Sequence, residues 1–192
     1  MTIKNDEIRD DTLLGFLSFC ETANKDGYLG AILVTNSQGV PQEFRCTHPV
    51  KPTNIQKPLY GDALIPYIGI NLCGLPLLTA IQKKPNVLLV RDDFLLGLRR
   101  VNADIPLAFL QRAGEAISIS DGLNNHNQRE RVDSSGGKYQ PVVISAHPDF
   151  RGDLAITRQI IEGVFSSFDP LEPFERITRA VDVLAKQDKR FQ

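Results

Sequence analysis

The stretch PNVLLVRDDFLLGLRRVNADIPLAFLQR (85–112) decides the fold. NVLLVR (86–91) is a short apolar run rich in Val and Leu, the composition of a strand covered on both faces. Asp92 or Asp93 stands where a short helix, FLLGLRRV, needs its cap, and IPLAFLQ (105–111) reads as the next strand. A helical crossover between two strands of one sheet makes them parallel. The chain is therefore expected to be an α/β protein with a mixed sheet.

On the C-terminal side, a tight RAG turn predicts EAISIS (115–120) as an antiparallel strand. The polar, Gly-containing stretch 121–139 has no apolar period and reads as an exposed loop, after which PVVISA (141–146) returns in the direction of the first strand. Two amphipathic helices close the chain. Leu154, Ile160, Ile161, Val164, Phe165 and Phe168 form one apolar stripe; Leu171, Phe174, Ile177, Val181 and Leu184 form the other. Asp169, Pro170 and Glu172 supply the start signal between them.

On the N-terminal side, LLGFLSF (13–19), YLGAILVT (28–35) and QEFRCT (42–47) are separated by turn-forming residues and predict a three-stranded antiparallel meander. Thr53 and Gln56 stand at capping-box spacing, so a helix is expected to begin there. ALIPYIGINLCGLPLLTAI (63–81) runs without a charge over a length that can span a bilayer. Pro66, Pro76, Gly69, Gly74 and Asn71 interrupt it, and it lies between strands, so it is read as a buried, kinked central helix with no membrane contact expected. No linker divides the chain. Residues 1–192 are taken as one α/β domain with a flexible start over 1–11.

Composition narrows the function classes. Hydrophobic residues make up 42% and charged residues 23%, which excludes wholesale disorder. Lys and Arg total 22 against 23 for Asp and Glu, a net charge of −1, which withholds the general attraction that nucleic-acid binders use. No nucleic-acid partner is expected on that ground. Cys20, Cys46 and Cys73 are odd in number and contain no CxxC pair, the pattern of reduced thiols in a cytoplasmic protein.

If the strands ending at Arg91, Gln111 and Ala146 all point one way, their exits gather on one edge, where ligands of open α/β sheets bind. His147 and Asp149 would then join Arg91 as base, orienter and anion clamp, with Asp92, Arg112 and Ser145 as further ligand contacts. No metal is expected. Cys46 and His48 share a face of one strand but have no second pair to complete a zinc set. SSGGK (134–138) departs from a phosphate loop because Tyr139 and a strand follow the lysine, and GYLGA (27–31) lacks the helix of a dinucleotide fingerprint. No sequence motif names a cofactor.

LGAILVTNSQGVPQEFRCTHPVKPTNIQKPLYGDAL (29–64), PNVLLVRDDFLL (85–96), AHPDFRGDL and FDPLEPFERI carry a resemblance to a family of bacterial proteins with no assigned activity. The resemblance spans most of the chain; it implies a bacterial cytosolic protein and transfers no catalytic residue. Two readings of function follow. The first is a non-enzymatic ligand-binding or assembly module, homodimeric, taking a small molecule or a second copy. The alternative is a small hydrolase or phosphate-ester enzyme with a polar site at the strand carboxyl ends.

Overall fold

The computed structural model describes residues 11–115 and 129–191. Seven strands form one mixed sheet in the order β3-β2-β1-β4-β5-β7-β6. The N-terminal meander is present as β1 (Leu13–Glu21), β2 (Tyr28–Asn36) and β3 (Pro41–Cys46), antiparallel throughout. β4 (Val87–Val90) adds parallel to β1, and β5 (Leu107–Arg112) adds parallel to β4, as the crossover requires. All four residues of β4 are buried, which is why the run is uniformly apolar rather than alternating.

The far side of the sheet departs from the sequence reading. Arg129–Val132 forms a further strand, β6, inside the stretch expected to be loop. It pairs antiparallel with β7 (Val142–Ala146), and β7 pairs antiparallel with β5. One additional strand before β7 reverses its direction, so β7 runs against β4 and β5. The strand expected at 115–120 lies, beyond residue 115, outside the described residues, as do residues 121–128 of the expected loop and all but Asp11 of the expected flexible start.

Each sheet face carries its own core. On one side, α5 (Gly152–Val164) and α6 (Glu172–Gln187) bury Leu154, Ile161, Phe174 and Ile177 against Leu14, Phe16, Val87 and Leu89. The predicted start signal acts just before α6, where the Leu171 backbone amide donates to Asp169 Oδ1 at 3.0 Å. On the other side, Leu17, Leu88 and Val90 pack with Leu77, Leu78, Leu95 and Leu98.

That second layer is a helical segment, Gln56–Ala80, followed after β4 by the turn Asp93–Gly97 and α4 (Leu98–Val101). The segment comprises α1 (Gln56–Tyr60), α2 (Leu64–Tyr67), a wider π-helical stretch at Ile68–Gly74 and α3 (Leu75–Ala80). The capping box forms in full: the Thr53 amide donates to Gln56 Oε1 at 2.8 Å, and the Gln56 amide donates to Thr53 Oγ1 at 3.2 Å. The expected central helix packs on the sheet through its second half. Ile68, Gly69, Cys73, Gly74, Leu77 and Leu78 face the sheet, whereas no residue of α1 or α2 is buried and Leu59 is 76% exposed. By length and composition the segment could cross a membrane, with 33% of its most apolar window buried.

Candidate functional site

β1 and β4 lie side by side and parallel, so their carboxyl ends share one edge of the sheet. There the apolar core ends and the chain turns polar: β4 is followed by Arg91, Asp92 and Asp93. The Asp92 carboxylate accepts a hydrogen bond from the Phe19 backbone of β1. Burial pushes its pKa above the ordinary carboxylate value, and neither the Phe19 bond nor nearby Arg91 cancels that effect. Arg91 reaches Glu115 at 3.5 Å.

From this edge a cavity of about 210 Å³ runs down the sheet face that carries the Gln56–Ala80 segment, over β5, β7 and β6. Its walls are Arg91, Asp92, Asp93, Phe109, Gln111, Arg129 and Ser145. Side chains alternate between faces along a strand, so Phe109 and Gln111 of β5 share this face, and the register places Ser145 opposite both Phe109 and Arg129. Gln111 and Ser145 are each 2% exposed, and neither amide atom of Gln111 nor the Ser145 hydroxyl has a hydrogen-bond partner among the described residues.

Of the residues singled out from sequence, Arg91, Asp92 and Ser145 come together here. His147, Asp149 and Arg112 do not. Because β7 is antiparallel to β5, with Ala146 beside Ala108, His147 leaves the sheet at the amino-terminal end of β5, on the edge opposite Arg91. The proposed grouping of Arg91 with His147 and Asp149 is therefore wrong, for the reason of strand polarity.

His147 instead begins a helical turn: its Nδ1 accepts from the Asp149 amide at 3.2 Å. Burial, with Arg100 close by, lowers its pKa. Asp149 pairs with Arg100 at 2.7 Å in the open, with 57% and 64% of the two side chains exposed, an arrangement of little energetic weight. Arg112 bonds the Gln140 carbonyl at 3.2 Å and pairs with Asp169 ahead of α6, a structural tie on the other face.

Sequence reasoning missed Arg129 as a site residue because it sits in a polar stretch. The sequence holds no strand signal there: three charged residues precede Val132, and Val132 alone is buried in the core. Among the described residues no group of three or more His, Cys, Asp or Glu side chains is placed to hold a metal ion.

No protein-family model matches the sequence, and no curated protein matches it. Solved structures do. Endonuclease V from Streptomyces avermitilis aligns over 96% of this chain and 87% of its own, with 14% identity and a TM-score of 0.60. Endonuclease V from Bacillus subtilis covers 97% of this chain and 86% of its own, at 11% identity and a TM-score of 0.58. Human ENDOV covers 88% and 85%, at 13% identity and 0.52. The fold is Endonuclease V-like.

This likeness corrects three expectations. The resemblance read from sequence implied no activity, whereas the structural neighbours are named nucleases. The first reading, a non-enzymatic binding or assembly module, is withdrawn, because the solved structures that share the fold are named nucleases. The expected absence of a nucleic-acid partner is withdrawn too, since the solved structures that share the fold are named endonucleases. The balanced charge removed only the general electrostatic attraction. It has no bearing on a local site.

Proposed function

We propose that this chain is a cytoplasmic hydrolase of phosphate esters in nucleic acid, working at the carboxyl ends of β1 and β4. The observation that carries the reading is Asp92, a part-buried carboxylate of raised pKa, next to Arg91 in the wall of a cavity in an Endonuclease V-like fold. Ionised Asp92 takes a proton from a water as that water attacks phosphorus; the P–O bond to the leaving oxygen breaks, and that oxygen departs as an alcohol after gaining a proton from solvent. Arg91 offers a planar fork to the phosphate oxygens as negative charge builds.

Many nucleases hold two divalent cations between clustered acids. Asp92 and Asp93 are adjacent, but no third ligand stands with them among the described residues. The donors described do not fit a resident two-cation centre.

The test is cleavage of labelled single- and double-stranded DNA and RNA by the purified protein and by Asp92→Asn. Cleavage falling by about 10²–10⁴ in the variant, the range for loss of a general base, supports the assignment. Equal cleavage by both proteins, or none of any substrate, would overturn it.

A further inference from the structure

Gln111 and Ser145 are unexplained by the reaction just described. Unpaired buried polar groups are uncommon in folded proteins, and each costs stability that an apolar side chain of similar shape would not. Here the two lie on adjacent strands of one face and line the same cavity, with Arg129 of β6 directly opposite Ser145 of β7. Their donors are complementary in kind: the amide NH₂ of Gln111, the hydroxyl of Ser145 and the guanidinium of Arg129. Phe109 supplies an apolar wall. The cavity, about 210 Å³, is below the usual range for drug-sized ligands and suits one small polar group.

We infer that Gln111, Ser145 and Arg129 form an oxyanion cup that binds a phosphate group, free or at the end of a nucleotide chain. Asp92 and Asp93 follow β4, whereas Arg129 stands on β6 at the far edge of the sheet with β5 and β7 between, so a phosphate held by Arg129 is a different group from the reacting phosphate at Arg91. The inference deepens the hydrolase reading, and rests on it for taking the oxyanion to be a phosphate rather than a carboxylate.

Isothermal titration with inorganic phosphate tests the cup directly, and competition between an oligonucleotide with a terminal phosphate and its hydroxyl-ended twin separates the two sources. Loss of Arg129 (Arg129→Ala) should weaken phosphate binding at least about tenfold, as for a charge-assisted hydrogen bond, and Ser145→Ala by several-fold. Gln111→Leu removes an unpaired amide without leaving a hole, so it should fold at least as well while binding several-fold more weakly, and Gln111→Glu, of the same shape but negative, should abolish binding. Preference for the phosphorylated oligonucleotide marks a chain end as the ligand; equal competition marks free phosphate. Phosphate binding untouched in all four variants, or no saturable binding by the unaltered protein, overturns the cup. Cleavage assayed alongside keeps the two readings apart: binding without cleavage removes the hydrolase and leaves the cup, and cleavage without binding does the reverse.

Discussion

Asp92 shows how a single residue can trade stability for chemistry. Its carboxyl pKa is raised in the fold by burial, so the ionised form is disfavoured relative to the unfolded chain. This cost is absent below the unfolded value near 3.9 and complete once pH exceeds the folded value. Asp92→Asn should therefore melt higher than the unaltered protein near neutral pH, with the gap closing as the solution is acidified; thermal melts at a series of pH values measure it. Asp153 is a structural tie. It is buried, receives Arg99 Nε at 2.7 Å and the Leu107 amide at 3.0 Å, and Arg99 also lies over the Phe150 ring at 4.4 Å. This ties α4 on one face of the sheet to α5 on the other. Asp153→Ala leaves Arg99 charged and unpaired, and urea denaturation should report a loss of about 3–5 kcal/mol.

At the scale of elements, the Gln56–Ala80 segment reaches the sheet only where glycine allows it. A Cβ at Gly30 would sit 2.7 Å from Cys73 Cβ, a contact that real side chains do not make and that the short, buried Cys73 cannot avoid. Gly30→Ala should cost about 1–3 kcal/mol through overpacking, read as a lower urea midpoint at unchanged slope. The meander, the capping box and both C-terminal stripes were legible in sequence, since each is written in neighbouring residues: turn formers between apolar runs, Thr53 three before Gln56, apolar side chains at helical spacing. The burial of residues 63–81 was legible only in part. An uncharged run reports only that burial is possible; it does not say which side is covered, and here Ile68, Cys73, Leu77 and Leu78 are buried while no residue of α2 is.

At the scale of the molecule, a net charge of −1 gives any nucleic-acid strand no general attraction, leaving the site's own cations, Arg91 and Arg129, to contact phosphate. Two such contacts predict a shallow salt dependence of oligonucleotide binding, a log–log slope of magnitude roughly 2, checked by titrating affinity against ionic strength. A slope several times steeper would show that a wider basic surface takes part. By itself, the sequence determined the α/β class, the parallel pairing of β4 with β5 and the position of Arg91 and Asp92 at a strand exit, because each follows from local pattern and one crossover. Only the tertiary structure decided that Ser145 joins them while His147 and Asp149 lie across the sheet. Strand direction is a running count along the chain, so the short and half-polar β6 was enough to turn β7 around. Neither the apolar pattern of β7 nor its length carries any mark of the way it points.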